Sequence, residues 1–253
     1  MPHASRSFEP AHLAQRFATA KDRIAAAQLP VPDTIAEAIA VQAEFVAPDD
    51  VPAAGYKVAR SPEGVGVAGR LSPIAIAGPD AQPVTFRWRK GLRVEPEIGF
   101  RLASSLPPRE AGYSRDAVIA AIGAVHLGVE VLDSRIEEGG KAPFLLFLAD
   151  RLGNAGYALG PELPRDLLDG VEGRSLEVSL DGASLFAGEA HHPAGDVLAW
   201  LVGWANERQR AQDTLRAGEI VTTGSLCGAL EVGTPGRIEV RLDGRWNLPL
   251  RLD

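Results

Sequence analysis

Leu13, Phe17 and Ile24 recur at near-helical spacing between Pro10 and Ala27, which predicts an amphipathic helix with its charged residues on the opposite side. A second helix is expected from Thr34 to Phe45. Thr34 can cap it, Glu37 three residues later completes a capping box, and Ile35, Ile39 and Val46 share one surface before Pro48-Asp49-Asp50 ends the helical stretch. Gly55-Tyr56-Lys57-Val58-Ala59 then reads as a short strand. Residues 61 to 83 are rich in glycine and proline, and Val84-Thr85-Phe86-Arg87-Trp88 alternates again. The next strand is Val94 to Phe100, where Pro96 has no N–H to give a ladder and predicts an edge or locally bulged position.

Ser114 is expected to cap a helix with a buried stripe of Val118, Ile119, Ile122 and Val125, and a strand pattern follows from Leu127 to Ser134. The run Pro143 to Leu148 fits helix and buried strand equally. Leu176, Val178 and Leu180 lead through Asp181-Gly182 to Leu185 and Ala187, a β-hairpin signature. Ile238, Val240 and Leu242 lead likewise through Asp243-Gly244 to Trp246, Leu248, Leu250 and Leu252. Between the hairpins lie a helix from Pro193 to Arg208, with Leu198, Leu201, Val202 and Ala205 inward, and a strand over Ile220 to Thr223. Strand pairs recur around the helices without alternating regularly with them. The expectation is therefore a β-rich α+β fold, with residues 1–253 as one domain and residues 1–50 as its helical N-terminal subregion.

Composition narrows the function classes. The chain of 253 residues is 45% hydrophobic and 23% charged, an ordinary globular balance. Its 27 glycines and 19 prolines imply many tight turns. Cys227 is the single cysteine, so no intramolecular disulfide can form. The opening residues lack a secretory signal pattern and no uninterrupted apolar stretch reaches bilayer length, which points to a cytoplasmic protein without a membrane partner. A net charge of -7 without a basic block interleaved with aromatics argues against nucleic acid. Arg87-Trp88-Arg89-Lys90 is too short to change this and is expected to face solvent on a hairpin.

The chemistry-bearing feature is Glu95-Pro96-Glu97. Side chains two apart on an extended backbone point the same way, so both carboxylates can converge on one point. Two ionised carboxylates in a partly buried site need a cation, a shared proton or a basic side chain, and Mg²⁺ or Mn²⁺ prefers such oxygen donors. Glu130 sits in an otherwise apolar strand, where an unpaired carboxylate is expensive; a salt bridge to Arg135 is the plainer explanation. Lys57, between Tyr56 and Val58, fits a solvent-facing strand lysine or a proton donor beside the acids.

The motifs Gly55-Tyr56-Lys57-Val58, Val94 to Phe100, Val129-Glu130-Val131-Leu132-Asp133-Ser134-Arg135-Ile136 and Gly218 to Leu226 follow one another along the chain. In that order they resemble the hydratase branch of the fumarylacetoacetate hydrolase family, and the resemblance covers nearly the whole chain. It implies a mixed β-roll core with peripheral helices, a divalent metal held by Glu95, Glu97 and Glu130, and an acid/base role for Lys57. The implied reaction adds water to a 2-hydroxy-2,4-dienoate, through its 2-oxo tautomer, to give a 4-hydroxy-2-oxo acid. A homo-oligomer, and association with a related pathway enzyme, are implied as well. Thr223, Gly224 and Ser225 match the late family motif and are expected to bind a carboxylate or a metal-bound water. Asp150, Arg151 and Asn154 are expected near the mouth of the site, with a surface Asp150–Arg151 ion pair as the alternative.

Two departures stand out. Gly69-Arg70-Leu71-Ser72-Pro73-Ile74 holds no aspartate where these hydratases carry one, and Asp80 nearby gives no assured replacement. The stretch Leu148 to Gly156 only partly matches its family counterpart. The runner-up function is therefore a metal-dependent decarboxylase of a 2-oxo-3-enedioate such as 4-oxalocrotonate, with Arg151, Arg60 or Arg70 meeting the distal carboxylate. A non-catalytic 2-oxo-acid-binding or accessory subunit is the third reading. Ser225 lacks a Gly-x-Ser-x-Gly setting and no histidine–acid pair can be assigned, which argues against a serine hydrolase. His126, His191, His192, Trp200 and Trp204 read as packing, loop or cap residues, with Trp200 and Trp204 able to touch on one helix face.

Overall fold

The computed structural model describes residues 8–45, 55–78, 83–208, 210 and 214–253. The Val46, Pro48-Asp49-Asp50 and Asp80 positions discussed above lie outside them. The chain runs through α1 (Pro10–Thr19), α2 (Ile35–Phe45), β1 (Gly55–Arg60), β2 (Gly66–Arg70), β3 (Ile74–Ile76), β4 (Val84–Phe86), β5 (Arg93–Leu102), α3 (Arg115–Ala121) and β6 (Ile122–Leu132). It continues with α4 (Phe144–Ala149), β7 (Asn154–Leu163), β8 (Ser175–Leu180), β9 (Ala183–Glu189), α5 (Ala199–Ala205), β10 (Ile220–Ser225), β11 (Leu230–Glu231), β12 (Gly236–Leu242) and β13 (Trp246–Leu252).

The larger, curled mixed sheet has the order β2-β1-β10-β5-β6-β7-β3, with β11 also pairing β5; the smaller has the order β4-β13-β12-β8-β9. Their apolar faces share one core, in which Val125, Leu127 and Val129 of the first sheet join Val178, Ile238 and Leu248 of the second. A second apolar cluster joins α1, α2 and α4 through Leu13, Phe17, Val41 and Leu146. The result is an α+β fold with a half-barrel core and peripheral helices. No helix among the described residues is long and apolar enough to cross a membrane.

Local signals act where the sequence places them. Thr34 Oγ1 accepts from Glu37 N at 3.1 Å while Glu37 Oε2 accepts from Thr34 N at 3.2 Å, which is the reciprocal capping box. Ser114 caps α3 by accepting from Ala117 N at 3.2 Å. Asp181 and Gly182 (φ 47° and 83°) take the left-handed pair that closes a two-residue hairpin between Leu180 and Ala183, and Asp243 and Gly244 (φ 52° and 62°) take a like pair in the three-residue loop between Leu242 and Trp246.

Several expectations change, each through tertiary pairing. The first helix ends at Thr19, not near Ala27, because Ile24 forms an isolated parallel bridge with Ile136. The stripe expected on the third helix is split: α3 stops at Ala121, and Ile122 and Val125 already pair with β5 through Leu102 and Phe100. The ambiguous run after Pro143 is helical and buries Leu146, Leu148 and Ala149. The helix expected from Pro193 is confined to Ala199–Ala205, since Gly195 has φ 74° and Asp196 Oδ1 accepts from Leu198 N at 2.9 Å. Arg87 to Lys90 lies on no hairpin but links β4 in one sheet to β5 in the other; Arg87 and Lys90 are exposed while Trp88 Nε1 donates to Val232 O at 3.0 Å.

Pro96 is not at an edge, because β5 lies between β10 and β6. The bulge is there instead. Pro96 O accepts from Leu226 N at 2.8 Å, so the proline nitrogen faces the β10 side, where the register shifts between Thr222 and Ser225. The ladder opens where a donor is missing.

The two sheets meet closely at Gly156, where an added Cβ would fall 2.4 Å from Phe86 Cε1. Gly156→Ala is expected to lower stability by about 1–3 kcal/mol, the usual cost of overpacking. In thermal melts, Phe86→Leu in the same chain should restore part of the loss; additive losses in the double variant would refute this contact.

Candidate metal centre

One face of the larger sheet carries a row of polar side chains in register across five strands. Glu95, Glu97 and Gly99 alternate onto this face of β5. In β6, Glu130 lies opposite Glu95 and Gly128 opposite Glu97. Tyr157 of β7 lies opposite Glu130. Thr222 of β10 lies opposite Gly99, and Lys57 of β1 opposite Thr222. Sheet register alone therefore gathers residues from positions 57 to 222.

Within this row, one carboxylate oxygen each of Glu95, Glu97 and Glu130 lies within 4.8 Å of the others. Glu97 and Glu130 are buried at 1% and 0% exposure. Lys57 Nζ donates to Glu130 Oε2 at 2.6 Å and stands 3.9 Å from Glu95 Oε2. Glu130 thus pairs with Lys57, not Arg135, and Lys57 is no solvent-facing strand lysine: its side chain is only 14% exposed. Thr222 Oγ1 donates to Glu97 Oε2 at 2.5 Å. Asn154 Nδ2 donates to Glu130 Oε1 at 2.9 Å.

The electrostatics follow from burial. Desolvation pushes the Glu97 carboxyl well above its ordinary range; Glu130 and Glu95 add repulsion, and Lys57 and Thr222 only partly oppose it. Burial likewise pushes Glu130 up to about 7 against the attraction of Lys57. Burial by itself would lower Lys57, but Glu130, Glu95 and Glu97 together outweigh it and hold the ammonium with a raised pKa. Three carboxylates against one ammonium leave a deficit of two positive charges when all are ionised. A hard divalent cation supplies that charge and takes oxygen ligands, so the donor set fits Mg²⁺ or Mn²⁺.

Glu95, Glu97 and Lys57 line the floor of a cavity of about 740 Å³, with Phe144, Phe147, Leu152, Phe186 and Trp200 on its walls, and Glu130 is buried behind them. Gly224 and Ser225 also line it, and Ser225 Oγ donates to Gly228 O at 2.8 Å. Thr223 faces the other way, its hydroxyl donating to Val197 O at 2.8 Å beside His192. The threonine on the acidic face is Thr222, which the family-motif reading passed over. Only knowing which of the alternating positions shares a face with Glu97 selects it.

Asp150, Arg151 and Asn154 lie behind the acids and do not line the cavity. Asp150 forms no surface pair with Arg151; it is fully buried and accepts from Ser134 Oγ at 2.7 Å, Arg135 N at 2.9 Å and Arg135 Nη1 at 3.2 Å. Arg135 Nη1 also donates to Asn154 O at 2.9 Å, and Asn154 Oδ1 accepts from Ser72 N at 3.0 Å. Arg151, in a left-handed conformation at φ 56°, donates to Ser72 O at 3.1 Å. These residues form a supporting layer that orients Glu130. Of the arginines considered for a distal carboxylate, only Arg60 lines the cavity, at an exposed position; Arg70 lies in a separate groove. Trp200 packs edge-on to His192 and lines the cavity, whereas Trp204 lines that other groove. Burial pushes the Cys227 thiol, also on the cavity wall, up to about 12, so it is no thiolate at neutral pH.

No protein-family model matches the chain. In sequence it is 30% identical over 170 residues to the 2-keto-4-pentenoate hydratase of Burkholderia vietnamiensis, and the match covers 65% of this chain and 62% of that protein. In structure it superposes on 4-oxalocrotonate decarboxylase from Pseudomonas putida G7, complexed with calcium and acetate, with a TM-score of 0.71 at 20% identity over 96% of this chain and 97% of that one. The likeness to these solved structures shows the fold, and the chain spans less than two thirds of the length of the hydratase it matches in sequence. The same decarboxylase complexed with magnesium and adipate gives a TM-score of 0.71 at 21% identity, with the same coverage. The acidic row thus sits within a shared fold that spans 96% of the chain.

A raised carboxyl pKa has a stability consequence in the metal-free protein. Glu130, at about 7 against 4.5 unfolded, contributes stability that is fully present below pH 4.5 and is lost as pH rises through 7. Thermal melts in a chelator should show the transition falling from about pH 5 to about pH 8. The fall should be shallower in Glu130→Gln and reversed by Mg²⁺ at the higher pH. Parallel pH profiles for the two proteins would contradict this assignment.

Proposed function

We propose that this protein is a divalent-metal-dependent lyase acting on a short 2-oxo-3-enoate or its 2-hydroxydienoate tautomer, with Glu95, Glu97 and Glu130 as metal ligands. The observation that carries the reading is the convergence of three carboxylates within 4.8 Å beside one ammonium, two of them, Glu95 and Glu97, lining an open cavity. A divalent ion held there supplies a Lewis acid for the carboxylate and 2-oxygen of the substrate. The decarboxylase structures, complexed with calcium or with magnesium, support a divalent ion on this fold.

Between the two chemistries, decarboxylation of a 2-oxo-3-enedioate is the first choice. None of residues 69–74 lines the cavity: Gly69 packs on the Arg151 carbonyl and Lys57 Cγ, and the Ser72 backbone is engaged by Asn154 and Arg151. That segment therefore offers no acid to activate water, and loss of carbon dioxide consumes none. The distal carbon–carbon bond breaks, its electron pair moves through the conjugated chain to the 2-oxygen, and Lys57 delivers the proton that leaves a 2-hydroxydienoate. Phe144, Phe147, Phe186 and Trp200 keep water from the departing carboxylate. Arg60 on the cavity rim attracts the diacid.

Hydration is the second reading, favoured by the names of the sequence relatives. It requires a base, and among the described residues lining the cavity Glu189 is the one carboxylate outside the acidic triad.

Incubation with 2-oxohex-3-enedioate and Mg²⁺ should release carbon dioxide and 2-hydroxypenta-2,4-dienoate, and chelation should stop it. Lys57→Met is expected to lower kcat about 10²–10⁴-fold, the usual range for a lost proton donor. Glu97→Gln should lose most metal-dependent turnover. If instead 2-hydroxypenta-2,4-dienoate is hydrated, and Glu189→Gln abolishes that hydration, the second reading replaces the first. Turnover indifferent to chelator and to Glu97→Gln would end both.

A further inference from the structure

Tyr157 is fully buried, and its hydroxyl, near enough to Thr222 to interact with it, makes no hydrogen bond of standard geometry among the described residues. A buried hydroxyl without a well-formed hydrogen bond is costly, and phenylalanine would fill the same space without that cost. The strand architecture nevertheless makes room for the oxygen. A Cβ at Gly128 would fall 1.8 Å from Tyr157 Oη, and one at Gly99 would fall 2.8 Å from it. Gly128 is the cross-strand partner of Glu97, and Gly99 is the cross-strand partner of Thr222. The phenol therefore reaches across β6 and β5 in a slot cut by two glycines and ends between Thr222 and Glu97, whose mutual hydrogen bond is already made. Thr222 has one hydroxyl hydrogen, given to Glu97, and the lone pairs of its oxygen can accept.

We propose that Tyr157 is a positioning residue for Glu97: its hydroxyl is the outer donor of a chain running from Tyr157 Oη to Thr222 Oγ1 to Glu97 Oε2. With the phenol donating, the threonine hydrogen is directed to the carboxylate, and Glu97 is held in one rotamer with its other oxygen free for an ion. The inference rests on the acidic triad being a metal site. It assigns a role to a side chain that touches neither metal nor substrate.

The test is Mn²⁺ binding to the full chain by calorimetry, with melting temperature read in parallel, for wild type, Tyr157→Phe, Thr222→Val, Thr222→Ser and the double variant Tyr157→Phe/Thr222→Val. Tyr157→Phe should melt at the wild-type temperature or above it while binding Mn²⁺ about 10-fold more weakly, the lower end of losses for residues that orient metal ligands. Thr222→Ser should bind as wild type. The double variant should bind no more weakly than Thr222→Val, because the two groups act in series. A Mn²⁺ affinity within about twofold of wild type in Tyr157→Phe, or additive losses in the double variant, would overturn the role of Tyr157 and leave the metal site standing. Should Thr222→Val not fold, the Tyr157→Phe and Thr222→Ser comparison decides. Wild-type protein that binds no Mn²⁺, or binds it equally well as Glu97→Gln, removes the metal reading and this inference with it.

Discussion

Repulsion between carboxylates that the sheet forces together is the constraint on which the site is built. Glu95 and Glu130 are direct cross-strand neighbours, an arrangement that destabilises a sheet when both are charged. Burial removes the water that would screen them. The surroundings answer in kind: Lys57 bridges toward two of the acids, Thr222 holds Glu97, and Asn154 holds Glu130. Each is a donor, and each comes from a different strand or from a strand's first residue. The remaining charge deficit is of the size that a divalent cation would neutralise.

The supporting layer shows why precision is available here. Asp150 is satisfied by Ser134 and Arg135, Arg135 reaches the Asn154 carbonyl, and Asn154 turns its amide to Glu130. A carboxylate oriented by such a chain on a central strand cannot wander as one on a loop would. The backbone contributes too, since Arg151 and Leu152 take left-handed conformations at φ 56° and 54° to turn α4 into β7. That turn puts Leu152 on the cavity wall and Asn154 beneath the acids.

Above the acidic floor the cavity changes character. Four aromatic side chains from α4, β9 and α5 face a site whose fixed cation is Lys57. Placing charged chemistry beside an apolar wall strengthens every interaction made at the floor, because the local dielectric is low. The wall is contributed by peripheral helices and a hairpin, while the floor belongs to the core strands.

How much of this was legible in the chain depends on the range of the interaction. Turn chemistry at Asp181-Gly182 and Asp243-Gly244, the capping box at Thr34 and Glu37, and the same-face pair Glu95 and Glu97 are set by neighbours a few residues apart. The third acid, Glu130, stood out because a carboxylate in an apolar strand demands a partner, although its partner proved to be Lys57, 73 residues away, and not Arg135. The α3–β6 boundary, the central place of Pro96, the choice of Thr222 over Thr223 and the retreat of Asp150 and Arg151 behind the acids all depend on strand register. A one-residue slip exchanges the two faces of a strand, and no local pattern records which face a distant strand will meet. The chain alone thus determined its turns, its helix caps and the same-face pairing of Glu95 with Glu97. Only the folded sheet decided which other side chains share that face.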